Sequence, residues 1–384
     1  MKILFLASAS YRGGATFSLI NTIIGLKEKG VNIMVVTPED GYLCKVLSNN
    51  YIPYKILPVS LSIWPVIKSL RDIILFLPRL FRTLSINFIG YFKLLKFSKN
   101  YNPDIIQTNV SVINIGYLVS KKLKIPHVWH VREYGDLDFD MKHFPCKSIF
   151  LNRLRESYSI SITYNLKEYF NLGKKCKVIY NGIENNHSVE FINDKQNNII
   201  FVGRLSENKG TTILVRTFIS FLKRNTKYKL LLIGDYDPKY GNLLINLIKN
   251  HNASAHIKLL GGRTDVFDIM NKSKAIIVPS RCEGFGRITA EAMFNNCLVI
   301  GRNTGGTKEQ FDNGIKIAGE EIGLRFNNAS ELLERLYDLD KMGTSTYANM
   351  VIKAKEVATS LYNTKNNIIQ TYQFMNNILL QKES

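Results

Sequence analysis

The stretch Ala275-Ile276-Ile277-Val278-Pro279-Ser280-Arg281-Cys282-Glu283-Gly284-Phe285-Gly286-Arg287-Ile288-Thr289-Ala290-Glu291-Ala292-Met293 decides how the chain is read. Its first four residues are an apolar run of the kind that forms a parallel strand buried on both faces. Helix-forming residues run from Arg287 to Phe294. The glycines between them therefore fall in a strand-to-helix turn. Backbone N–H groups at such a turn lack intrahelical partners and point outward, toward the polar or anionic end of a ligand. Glu283 lies in the turn and Glu291 about two helical turns further on. Two carboxylates so placed can hold sugar or ribose hydroxyls. The plain alternative is a solvated loop glutamate beside a solvated helix glutamate.

Working outward, strand-like and helix-like stretches alternate along all 384 residues. That alternation predicts an α/β protein with parallel sheets. In the first half the expected strands are Lys2–Leu6, Asn32–Thr37, Tyr54–Leu57, Ile105–Thr108, His127–Val131, Ser159–Tyr164 and Lys177–Ile179. In the second they are Ile199–Val202, Lys229–Ile233, Ile257–Leu260, Ala275–Val278, Leu298–Gly301 and Gly323–Phe326. Two Rossmann-like domains with sheets of about six strands each follow. The expected boundaries are 1–180, 181–360 and a C-terminal helix at 361–384. The asparagine-rich stretch Glu184–Asn198 serves as the linker.

Composition limits the function classes. Hydrophobic residues make up 45% of the chain, which excludes wholesale disorder. The five cysteines are scattered and lack zinc-ligand or C-x-x-C spacing, which suits a reduced cytoplasmic compartment. The opening Met1-Lys2-Ile3-Leu4-Phe5-Leu6-Ala7-Ser8 reads as a first strand rather than a leader, because a Gly-Gly turn and helix follow directly. A net charge of +20 calls for an anionic partner. No zinc-finger, homeodomain, RRM or KH pattern is present, so no nucleic acid is expected. Residues Leu61–Asn100 carry seven cations (Lys68, Arg71, Arg79, Arg82, Lys93, Lys96, Lys99) against Asp72 alone, interleaved with Leu, Ile and Phe. This is the pattern of an interfacial segment on an anionic bilayer, with Pro65 and Pro78 breaking it into pieces. Core packing with a solvated basic face is the competing reading.

Further residues cluster at the ends of expected strands. Gly203-Arg204-Leu205 and Lys209-Gly210 follow the first strand of the second half. Trp129-His130-Val131-Arg132-Glu133 ends a strand of the first half, and Arg12-Gly13-Gly14 follows its first strand. Gly261-Gly262-Arg263-Thr264-Asp265 ends another, with Thr264 a candidate helix cap. Asn181-Gly182-Ile183 is explained by a plain turn. Asp138-Phe139-Asp140 spells a D-x-D, a spacing that can hold a divalent metal, within an Asp-rich loop.

Taken together, the Glu283…Glu291 segment, the following strand with Gly305-Gly306, and the Arg204…Lys209 loop resemble retaining glycosyltransferases of family 4. These have the GT-B fold and a Glu-x7-Glu signature. The resemblance is densest from Asn198 to Gln310. It implies a nucleotide-diphosphate sugar as donor substrate, UDP type favoured, with no cofactor and no metal. It implies that Arg204 and Lys209 grip the diphosphate and Glu291 the ribose, and that Glu283 with the Phe285, Gly286, Arg287 and Ile288 backbone holds the sugar. Gly14, Gly262 and Arg263 join the donor side. His130 reaches the leaving group across a cleft, and Arg12 and Gly13 belong to the acceptor side; Arg132 and Glu133 either pair with each other or meet the acceptor. It reads Asp138 and Asp140 as an acceptor-side or surface loop, and Asn181-Gly182-Ile183 as a domain-junction element. It also implies a C-terminal helix returning to the first domain. Arg287 departs from the family pattern, where an apolar residue is common, and so do Asn295-Asn296-Cys297. The expected protein is a cytoplasmic, membrane-peripheral enzyme of surface-polysaccharide assembly with a glycan or lipid-linked acceptor. A catalytically silent homologue or a basic nucleic-acid-binding protein is the alternative.

Overall fold

Thirteen strands are arranged as two separate parallel sheets in the computed structural model, which describes residues 1–67, 69–183, 192 and 194–383. Most of the expected linker, Glu184–Asn198, lies outside the described residues. The chain divides into two units, one of Met1–Glu184 with Thr364–Ser384, the other of Asn185–Asn363.

The first unit holds β1 (Lys2–Leu6), β2 (Asn32–Thr37), β3 (Tyr54–Ile56), β4 (Ile105–Thr108), β5 (His127–Val131), β6 (Tyr158–Ser161) and β7 (Cys176–Val178). Their order is β3-β2-β1-β4-β5-β6-β7, a sheet of seven strands, one for each strand expected in the first half. Strand β6 is also shorter than Ser159–Tyr164. The Thr163 side chain accepts from the Leu166 N–H at 3.2 Å and caps a helix, so the chain has left the sheet by then. Alternate side chains of β1 serve opposite faces. Ile3 and Phe5 pack with the helix Gly14–Glu28 and with Met375 and Ile378 of the helix Thr364–Glu383. Leu4 and Leu6 pack with Leu94 and the helix Ile115–Leu123. This two-residue period on a strand covered on both sides is why β1 reads as a continuous apolar run. Close approach of the helices Gly14–Glu28 and Thr364–Glu383 requires Gly25, since a Cβ there would overlap Ile368.

The basic apolar segment forms a short helix, Leu70–Ile74, and a 26-residue helix, Phe76–Tyr101. The break falls at Leu75. Pro78 sits in the first turn of the longer helix, where its missing N–H costs nothing, so it opens that helix instead of interrupting it. Only Gly90, Leu94 and Ser98 of this helix are buried. Leu70, Ile73, Leu77, Phe81, Leu84, Phe88 and Phe92 are exposed, Leu77 and Phe81 by 72% and 74%. Their three- and four-residue spacing makes one apolar stripe facing away from the core.

The second unit holds β8 (Gln196–Val202), β9 (Lys229–Ile233), β10 (Ile257–Gly261), β11 (Ser273–Val278), β12 (Leu298–Arg302) and β13 (Leu324–Phe326). The order β10-β9-β8-β11-β12-β13 reverses direction between β8 and β11. Crevices beyond the carboxyl ends of strands at such a reversal are where open α/β sheets bind ligands. No helix among the described residues is long and apolar enough to cross a membrane.

Candidate functional site

In the second unit the loops after β8 and β11 meet at this reversal. The Arg281 N–H donates to the Asn208 carbonyl at 3.1 Å, and Lys209 Nζ lies 2.7 Å from Glu283 Oε1. Two motifs 74 residues apart are thus joined by a half-exposed ion pair. Arg204 is exposed beside them and forms no salt bridge among the described residues. Two fixed cations at the carboxyl edge of a parallel sheet suit a diphosphate.

The turn between β11 and the helix Arg287–Phe294 is shaped by its backbone. Gly286 caps the helix at φ 75°, ψ 53°, a left-handed conformation that glycine adopts without strain. The Gly306 N–H donates to the Glu283 carbonyl at 2.7 Å. The Gln310 side chain donates to the carbonyls of Phe285 and Gly286. The Thr289 N–H at the start of the helix also donates to the Gly286 carbonyl, at 2.9 Å, so the turn is closed by its own backbone as well as by Gln310. The Phe285 ring is buried edge-on against Tyr362, with 5.4 Å between centroids, so only its backbone can meet a ligand.

Glu291 is 9% exposed, and its Oε1 accepts from Arg287 Nε at 2.7 Å. Burial raises its pKa, and the Arg287 guanidinium opposes that shift. The departure at Arg287 is thus the counter-charge that keeps a buried carboxylate available. Ile288 is half-buried beside it. Gly262 lies at the end of β10 close to Asp235, while Arg263 is held by Asp265 through two bonds of 2.8 and 2.6 Å. Thr264 does not cap the next helix. Its N-cap is Asp265, whose side chain is spent on Arg263.

In the first unit the polar group gathers at the ends of β4 and β5. His130 is 1% exposed. Gln107 Nε2 lies 3.1 Å from its Nδ1 and Arg132 Nη2 lies 3.3 Å from the same atom. A guanidinium can only donate, so Nδ1 is the acceptor and the ring proton sits on Nε2. Burial and the Arg132 charge hold the imidazole well below its ordinary pKa, in keeping with a neutral ring. Nε2 has no partner among the described residues. Arg132 also donates to Asn109 at 2.9 Å and Asn181 at 2.8 Å. Asn181 is therefore more than a turn residue. Glu133 Oε1 accepts from the Ser111 N–H and hydroxyl at 2.8 and 2.7 Å, and burial pushes its carboxyl up to about 7. Arg132 and Glu133 do not pair with each other; each turns to the loop after β4. Gln107, Asn109 and Ser111 escaped the sequence reading. Their signal is polarity directly after the apolar Ile105-Ile106.

Gly13 and Gly14 open the helix that follows β1, with Gly14 exposed at its first position. The Arg12 guanidinium lies over the Tyr42 ring at 4.9 Å. In the D-x-D, Asp138 accepts from the backbone N–H groups of Tyr134 and Gly135 at 3.0 and 2.8 Å, which makes it a local cap.

Comparison with known proteins agrees with this geometry. Residues 182–357 match the family model described as glycosyl transferases group 1. The capsular polysaccharide biosynthesis glycosyltransferase CapH of Staphylococcus aureus is 25% identical over 279 residues, covering 70% of this chain and 74% of CapH. The GPI3 subunit of phosphatidylinositol N-acetylglucosaminyltransferase of Saccharomyces cerevisiae is 27% identical over 128 residues, 33% of this chain and 28% of that one. Among solved structures, Anabaena HepE in complex with UDP superposes with a TM-score of 0.76 at 20% identity, covering 98% of this chain and 100% of HepE. HepE has also been solved with UDP-glucose, at a TM-score of 0.74 and 19% identity. The fold is GT-B, and the findings together support a glycosyltransferase.

Proposed function

We propose that this chain is a retaining, metal-independent glycosyltransferase that moves a sugar from a nucleotide-diphosphate sugar, UDP type, to a glycan or lipid-linked glycan in surface-polysaccharide assembly. One observation carries the reading: the Lys209–Glu283 pair and the Asn208–Arg281 bond join the two motifs where the second sheet reverses order. The UDP and UDP-glucose complexes of HepE and the capsule role in the name of CapH support donor and pathway class.

Arg204 and Lys209 offset the charge that develops on the departing diphosphate, the largest electrostatic demand of the reaction. Lys209 exchanges Glu283 for phosphate when donor arrives, which frees Glu283 to accept from sugar hydroxyls. Glu291, paired with Arg287, accepts from the ribose. The amino end of the helix Arg287–Phe294 adds a favourable dipole for the anionic ligand. With two cations and a helix terminus on the diphosphate, no divalent ion is needed for charge. In the first unit, His130 offers Nε2–H to a ligand oxygen, and Arg12, Gly13, Gly14, Arg132 and Glu133 line the acceptor side. The exposed stripe of the helix Phe76–Tyr101, flanked by Arg82, Lys93 and Lys96, lies on an anionic membrane surface.

A thermal-shift screen of nucleoside diphosphates and nucleotide sugars tests the donor reading. UDP or a UDP-sugar should raise the melting temperature, because ligand held only by the folded state stabilises it by mass action. No response to any nucleotide sugar, together with salt-sensitive binding to nucleic acid, would replace the proposal with the nucleic-acid alternative. Donor binding without turnover on any acceptor would favour a silent homologue.

A further inference from the structure

An apolar cleft of about 580 Å³ opens in the first unit, lined by Trp64, Val66, Ile67 and Phe76 among apolar residues and by Lys142 and Asp140 among charged ones. Its size and lining fall in the range of small-molecule sites, which are mostly apolar with a few placed polar groups. The walls are preformed. Trp64 donates its Nε1–H to the Pro145 carbonyl at 3.0 Å, stacks on Phe76 with 6.0 Å between centroids, and meets Phe144 edge-on at 4.8 Å. Its backbone N–H donates to the Lys142 carbonyl at 2.8 Å.

Two connections give the cleft a direction. Phe76 is the first residue of the helix that carries the exposed apolar stripe, so the cleft adjoins the start of that stripe. On the other side, the Ser62 N–H donates to the Val112 carbonyl, next to Ser111, which holds Glu133. Asp140 and Lys142 follow the short helix Asp136–Phe139, the next element after β5, the strand of His130. An occupant would thus run from the surface stripe toward the ends of β4 and β5. Lys142 is the cation of the lining, beside the acid Asp140, and the helical segment that leads away from Phe76 carries exposed Arg71 and Arg82.

We propose that this cleft takes the hydrocarbon tail of a phosphorylated, lipid-linked acceptor, with Lys142 facing its phosphate. The inference rests on the glycosyltransferase reading and names the acceptor class for it. Trp64 supplies its own reporter. The chain has two tryptophans, and Trp129 is fully buried, so a ligand-induced change in fluorescence reports on Trp64.

Titrating the full chain with dodecyl phosphate below its micellar concentration should blue-shift the emission saturably, and Trp64→Phe should abolish the change. Inorganic phosphate alone should produce none. Ile67→Glu should weaken dodecyl phosphate binding at least tenfold while leaving the thermal response to UDP intact. Lys142→Gln should weaken dodecyl phosphate and leave neutral dodecyl glucoside unchanged. The double variant Phe81→Ser with Phe88→Ser should lose sedimentation with vesicles of phosphatidylcholine and phosphatidylglycerol and keep dodecyl phosphate binding. Absence of a Trp64 response in the wild type overturns the proposal. Equal affinity in Ile67→Glu, or loss of dodecyl phosphate in the stripe variant, does the same, the latter placing the tail on the bilayer-facing surface. A wild type that answers dodecyl phosphate but no nucleotide sugar would keep the cleft and remove the glycosyltransferase reading.

Discussion

Replacing Lys209 with alanine separates a structural salt bridge from a working cation. Its partner Glu283 is 2.7 Å away, and the two side chains are 36% and 20% exposed. Ion pairs this open to water contribute about 0–1 kcal/mol to folding. For a unit of this size each kcal/mol moves the melting temperature by about 2–4 °C. The variant should therefore melt no more than about 4 °C below wild type, and Glu283 remains solvated rather than stranded. Catalysis should respond on another scale. Loss of one preorganised charge contact costs about 10²–10³ in turnover, or about 2.7–4 kcal/mol. The assay is release of nucleoside diphosphate from the UDP-sugar that gives the largest thermal shift, read beside a melting curve for the same preparation. Arg204→Ala should behave alike, and Lys209→Arg should recover part of the rate. Turnover within threefold of wild type in both alanine variants would refute the diphosphate clamp. A fall of more than about 10 °C would show that the pair is chiefly structural.

Glu291→Gln should weaken binding of UDP alone by about tenfold, the scale of losing a hydrogen bond to a charged group, whereas Glu283→Gln should spare UDP and reduce transfer; calorimetry separates them, and equal losses contradict the division. Activity should persist in excess EDTA; complete loss restored by manganese would instead promote Asp138 and Asp140 to metal ligands. The raised Glu133 carboxyl makes a pH prediction. Its folded pKa of about 7 lies above the unfolded value, so the folded state holds the proton more tightly. Stability from this group is present at low pH and is lost as pH rises through 7. Melting temperatures between pH 5 and 8 should fall more steeply for wild type than for Glu133→Gln, and parallel profiles would remove the assignment.

Much of the fold was legible because parallel strands covered on both faces must be apolar throughout. β1, β2, β4, β5 and β9 have the bounds read from the sequence. The edge strand β7 is one residue out of register with its prediction, since an edge has less burial to mark it. The loops after β8 and β11 were legible through glycine. Positions such as Gly286 need a conformation that few other residues accept, and the requirement is visible in the sequence. The supporting shell of the first unit was not. Gln107, Asn109 and Ser111 are ordinary polar residues until the pairing of β4 with β5 sets them beside His130, Arg132 and Glu133. Thr264 misled for a related reason: its reading as a cap was local, and the next helix takes Asp265 as its N-cap instead.

The helix Thr364–Glu383 has a consequence for how the protein can be made. Asn367 bonds Thr22 at 3.0 Å and the Tyr180 carbonyl at 2.7 Å, and Met375 and Ile378 fill the same core as Ile3 and Phe5. The helix Thr364–Glu383, made after the whole second unit, thus closes the layer begun by β1. Residues 1–184 must wait, with one flank of their first helix uncovered, while the whole second unit is synthesised. Cutting the gene at the boundary between the units would make that wait permanent, so a fragment ending there should need the terminal helix supplied as a separate peptide to stay in solution.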